Sequence, residues 1–141
     1  MKTILIFILS FLTICFSQDS LNNRKLCKKW TQIGSKPIDK PYRALLIKNY
    51  NVLNFKETGD YENKVAGSTV IGKWELVKDS VDLILKINHF EMIGVGSQTT
   101  RGQEIKYTVE RLSVDTLILT DKYLKNGKIT KTDLYFIPSL E

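Results

Sequence analysis

The chain has 141 residues, 43% hydrophobic and 26% charged, with a formal net charge of +6. That length fits one domain, large enough to bury a core without metal or disulfide support. The basic residues (Arg24, Lys25, Lys28, Lys29, Lys73, Lys106, Lys122, Lys125, Lys128, Lys131) are scattered and usually alternate with apolar ones. They form no clustered stripe of the kind that grips a phosphate backbone, so a nucleic-acid partner is not expected.

The N-terminus reads as an export signal. Lys2 supplies a positive start, and Ile4 to Ile14 is almost unbroken apolar sequence. Cys15 and Ser17 then precede Gln18, a build that predicts cleavage after Ser17. The apolar run falls short of the roughly 20 residues a membrane span needs. Residues 1–17 are therefore read as a signal peptide, 18–24 as a flexible leader and 25–141 as one domain, with no transmembrane segment in the mature chain. Localisation is secreted or periplasmic. Leu12-Thr13-Ile14-Cys15 faintly resembles a lipoprotein box, but Ile14 is not the small residue such boxes place before the cysteine, so a lipid anchor at Cys15 is disfavoured. Cys27 stands alone in the mature chain, and an intrachain disulfide is excluded.

From Leu26 onward the pattern has period two. Leu26, Lys28, Trp30 and Gln32 share one strand face, and Cys27, Lys29, Thr31 and Ile33 the other. Gly34 to Pro41 reads as a strand-breaking loop. Arg43 to Asn49 is ambiguous between a short helix and a strand. Asn51 to Phe55 and Tyr61 to Val65 form a hairpin around Glu57-Thr58-Gly59-Asp60, with positive φ at the glycine. Thr69 to Val77 follows, then a turn at Lys78-Asp79-Ser80. Val81, Leu83, Leu85 and Ile87 mark the next strand. Phe90 to Val95 is weaker and runs into a polar Gly96 to Gly102 loop. Ile105, Tyr107 and Val109 mark another strand, and Thr116 to Asp121 the one after. Asn126-Gly127 signals a tight turn before Ile129 to Ile137, which Pro138 stops. About eight short strands without a long helix predict an all-β antiparallel up-and-down barrel, since closure removes both sheet edges. A sandwich is the rival, but it usually shows longer crossovers.

The residues Leu53-x-Phe55-x-x-x-Gly59-x-Tyr61, Gly72-Lys73-Trp74-Glu75-Leu76, Asp79 with Leu83 and Leu85, Leu117 to Thr120, and Leu134-x-Phe136 resemble the small secreted lipocalin-like proteins of Bacteroidetes-type bacteria. Phe16-Ser17-Gln18 resembles the signal ends of that group. The resemblance spans residues 25 to 138. It implies an eight-stranded barrel with a cup for a small apolar ligand. Two departures stand out. Lys28-Lys29-Trp30 lacks the glycine of the usual Gly-x-Trp, which occurs instead at Gly72-Trp74. A last-strand arginine of the kind that packs over that tryptophan is not evident, and Lys131 is the nearest basic residue.

Catalytic chemistry is poorly supplied. His89 is the single histidine and has no partner at ligand spacing, so no metal is expected. No nucleophile elbow, acid/base pair or phosphate loop is recognisable. The acids Glu75, Asp79, Asp82 and Glu91 read as solvated. The chain is read as non-enzymatic and without a cofactor. Binding is better supplied, because a barrel of this size has room for side chains or one small ligand. Inward candidates are Trp30, Phe55, Trp74, Leu76, Leu83, Leu85, Ile105, Tyr107, Val109, Leu117, Leu119, Leu134 and Phe136. Of these, Trp30, Phe55, Trp74, Leu85, Tyr107 and Phe136 are the candidate contacts for a small hydrophobic ligand. Trp30 and Trp74 suit the closed end, and Tyr107 suits a ligand's polar group. The alternative is a filled barrel acting as an envelope or extracellular interaction module through Gly34 to Pro41 and Gly96 to Gly102. Polar or small inward residues near the mouth would favour the carrier, and large ones the module.

Overall fold

A computed structural model describes residues 21 to 140 except positions 78, 80, 93 and 95, and no side chains over 97 to 102. The stretch read as a signal, Cys15 and the start of the stretch read as a leader lie outside the described residues. Nine strands follow in order: β1 (Lys29–Pro37), β2 (Arg43–Ala44), β3 (Asn51–Phe55), β4 (Asp60–Val65), β5 (Ser68–Val77), β6 (Asp82–Met92), β7 (Gly96–Leu112), β8 (Leu117–Lys125) and β9 (Lys128–Pro138). From β3 to β9 each strand pairs antiparallel with the next, and β1 pairs with β3. β9 returns to β1 from Trp30↔Pro138 to Pro37↔Thr132. The meander thus closes into the expected antiparallel barrel, with β2 left over as a ninth strand. β2 has its own task. β3 covers β1 only over Lys29 to Thr31, and β2 takes up the exposed edge at Gly34 and Ser35.

Turn chemistry sets the hairpins. Asn126 and Gly127 take φ 50 and 72, the left-handed pair that suits a two-residue connection. Ala66 and Gly67 adopt the same pair at φ 49 and 83, with alanine at a position that favours asparagine or glycine. Gly59, at φ 83, closes the β3–β4 turn as anticipated.

Several boundaries differ from the sequence reading. β1 runs through Gly34 to Pro37 because β9 supplies it with partners, from Tyr135 to Thr132. Gly34 is required there. Tyr42 folds back over it, and a Cβ at Gly34 would stand 2.1 Å from the Tyr42 hydroxyl oxygen. Tyr42 is held by its O–H bond to the Ile33 carbonyl and by edge-on packing against Tyr135. The ambiguous Arg43 to Asn49 segment yields only the two residues of β2. The stretch read as a separate weak strand at Phe90 belongs to β6, which continues past a bulge between Ile87 and His89. The stretch read as a Gly96 to Gly102 loop is the first part of β7 and pairs with Met92 to His89. Bulges break the period-two pattern, so each strand read as two short pieces.

The leader also differs. Residues 21–26 form a helix that ends at Leu26, so Leu26 belongs to the helix rather than to the first strand. Leu26 and Trp30 are both fully buried, and the Trp30 indole Nε1–H donates to the Leu26 carbonyl at 2.9 Å. Lys28 Nζ donates to the Val114 carbonyl at 3.0 Å, which ties this segment to the β7–β8 turn. One end of the barrel is therefore floored.

Candidate functional site

Antiparallel register decides which side chains enter the barrel, because directly paired residues share a face. All the apolar residues read as inward lie in the core or pack on it. Trp30, Phe55, Leu83, Leu85, Leu117, Leu119 and Phe136 are buried, with Trp74, Leu76, Ile105, Tyr107, Val109 and Leu134 packed against them. Of the candidate ligand contacts, Trp30, Phe55 and Phe136 belong to the floor and are 0–2% exposed. Trp74 stands beside them, edge-on to Phe55, with its Nε1–H donating to the Lys56 carbonyl at 3.0 Å. Leu85 and Tyr107 face inward on β6 and β7 as neighbours of Ile105 and Leu83.

The opposite end is wet. Met92 and Tyr123 occupy inner-face positions there, yet are 39% and 41% exposed. Below this mouth the lining turns polar. Gln32, Asn51 and Asn63 stand on the inner faces of β1, β3 and β4. The Asn63 amide donates to Asn51 Oδ1 at 2.6 Å, and the Asn51 amide donates to Gln32 Oε1 at 2.8 Å. Gln32 in turn donates to the Gly34 carbonyl at 3.2 Å. This amide chain holds one wall rigid. On the far wall Tyr107 pairs with Asp121, and Asp121 with Thr132, so all three share the inner face.

Tyr61 stands two residues before Asn63 on the same inner face of β4. It is 1% exposed, and among the described residues its hydroxyl has no hydrogen-bond partner. A buried unpaired hydroxyl costs about 1–3 kcal/mol. Its ring lies over Gly72, its cross-strand partner, which directs the phenol inward. Burial pushes the Tyr61 phenol up to about 12, and nearby Tyr107 adds to the shift. Burial also raises Tyr107 to about 12, and the Asp121 carboxylate adds to that. Both phenols are therefore protonated at neutral pH, and each can donate and accept a hydrogen bond.

Sequence reasoning missed Tyr61, Asn51, Asn63 and Asp121 as lining residues. The available signal was position. Tyr61 and Asn63 keep step two with Val65, and Asn51 keeps step two with Leu53 and Phe55.

Other features hold less chemistry. Asp82, read as solvated, is 5% exposed and paired with Lys106 at 3.1 Å, so that reading is corrected. The Lys106 ammonium offsets the cost of burying the carboxylate. Cys27 is half-buried, and burial followed by Glu57 pushes its thiol up, away from the reactive thiolate. His89 pairs with Ile71 on the outer face of β6. A groove of about 370 Å³ lies outside the barrel between β1 and the segment after β2, lined by Ile33, Leu45, Ile47 and Ile137 among others. Among the described residues no group of three or more His, Cys, Asp or Glu could hold a metal ion, and no helix is long and apolar enough to cross a membrane. The chain matches no family model and no curated protein.

Proposed function

We propose that this protein is an exported, non-catalytic carrier in the lipocalin-like manner. It holds one small molecule by an apolar body, with a polar group facing Tyr61 and Tyr107. The observation that carries this reading is the buried Tyr61 hydroxyl, which has no partner among the described residues. A packed interior would satisfy or exclude such a group, whereas a binding cup leaves a fixed polar atom for its ligand. The polar lining below the wet end supports the same reading, and the apolar floor suits the ligand's body.

The test is native mass spectrometry of the protein recovered from its own host's periplasm or medium, followed by solvent extraction. A discrete extra mass that extraction releases is the expected result. A bare mass, with no Trp fluorescence change against fatty acids, retinoids and haem, would remove the carrier reading.

The interaction-module reading rests on a different observation. Leu46 and Leu140 are each 97% exposed, and Ile47 65%, beside the outer groove. Under that reading the outer wall binds a partner and the bare mass is the expected result.

A further inference from the structure

The described inner wall of the barrel is asymmetric in charge. Asp121 faces inward between Tyr107 and Thr132, and it acts electrostatically on the Tyr107 phenol. Most of the described strand cations point the other way. Lys73 pairs with Asp60 on the outer face, and Lys106 with Asp82. Among the described residues the lysines at inner-face positions are Lys125 and Lys128, which pair at the tip of the β8–β9 hairpin and are exposed. Below that tip the described inner wall offers one carboxylate, phenols and amides. The whole chain, by contrast, carries a net charge of +6.

We infer that the cup selects its ligand by the charge of the head group, taking an apolar molecule that ends in a protonated amine and rejecting the carboxylate of equal length. This rests on the carrier reading. An ammonium has three donors and no acceptor. Asp121 offers it an opposite charge, the unpartnered Tyr61 oxygen offers an acceptor, and the Tyr61 and Tyr107 rings offer π-faces. A carboxylate in the same place meets Asp121 as a like charge, in a setting where screening is weak. The overall positive charge would favour the carboxylate, so a preference for the amine has to come from the interior wall.

The experiment titrates the purified protein with decylamine, decanol and decanoate at neutral pH and low concentration, reading Trp30 and Trp74 fluorescence. Decylamine is expected to bind on the order of tenfold more tightly than decanoate. In Asp121→Asn that ratio should collapse towards one, and a thermal melt matching that of the parent shows that the variant is folded. Decanoate binding as tightly as decylamine overturns the inference, as does a ratio unchanged in Asp121→Asn. In both cases decanol binding keeps the carrier reading standing. If none of the three binds, the carrier reading fails and this inference falls with it.

Discussion

The ring of Tyr61 rests on Gly72 so closely that a Cβ at Gly72 would stand 2.8 Å from ring atom Cε1 and 1.9 Å from the Lys86 carbonyl oxygen. The glycine serves two neighbours, an aromatic ring on the inside and a strand of backbone at the side. The backbone is the harder constraint, because it belongs to β6 and cannot swing away.

Gly72→Ala should therefore destabilise the barrel by about 2–4 kcal/mol, in the range of overpacked or strained core positions. Urea denaturation followed by fluorescence measures it. The Lys86 contact makes a further claim. Trimming the ring in a Tyr61→Leu, Gly72→Ala double variant should leave most of the loss in place. Full rescue would assign the clash to the ring alone.

Tyr61→Phe removes a hydroxyl that is buried without a partner. The ligand-free protein should keep its stability or gain about 1 kcal/mol, since the desolvation penalty disappears. Ligand affinity should fall in the same variant. Gain of stability together with loss of binding marks a group retained for function. Thermal melts with and without the extracted ligand read both effects, and a clear loss of stability without ligand would contradict the assignment.

Alkaline titration tests the interior phenols. Tyr61 and Tyr107 titrate near 12 in the folded protein, against about 10 in an unfolded chain. Between those values the unfolded state has released protons that the folded state retains. The unfolded chain then binds fewer protons, and stability falls as pH rises. The contribution is fully present below about pH 10 and is lost as pH climbs through 12. Absorbance at the phenolate band should show Tyr61 and Tyr107 titrating late and together with unfolding. All six tyrosines of the chain titrating near pH 10 in the folded protein would place neither phenol in a dry interior.

The β4–β5 hairpin offers a stabilising change. Ala66 holds φ 49, a conformation that alanine adopts at a cost and asparagine tolerates. Ala66→Asn gives the turn the Asn-Gly pair that the β8–β9 hairpin already uses. It should raise stability by about 0.5–1 kcal/mol, measurable as a higher urea midpoint with an unchanged slope. Gly127→Ala, at φ 72, should move in the opposite direction by a similar amount.

The barrel was legible because apolar alternation reports faces directly. Leu83-x-Leu85-x-Ile87 and Leu117-x-Leu119 declare which side is buried, and the floor followed from such runs. The polar lining was not legible in the same way. Asn63 and Asp121 look, by type, like any solvent-facing strand residue. Only register against Leu53 and Tyr107 turns them inward. Bulges hid the rest. An extra residue at Asn88 resets the parity of β6, so His89 and Phe90 read as a new element. Gly34 and Pro37 carried turn chemistry, but pairing with β9 overrode it.

The β1–β9 seam governs the order of assembly. The other pairings join strands that are adjacent or one strand apart in the chain, whereas the seam brings together residues such as Thr31 and Ser139, 108 positions apart and bonded at 2.6 Å. Closing a loop of that length costs about 4 kcal/mol of chain entropy, so the hairpins form early and the seam zips last. Until it does, the N-terminal strand waits for the final strand to be delivered. A chain clipped before Leu134 would not lose one ninth of its stability. It would stay an open ribbon, ready to exchange strands with a second copy.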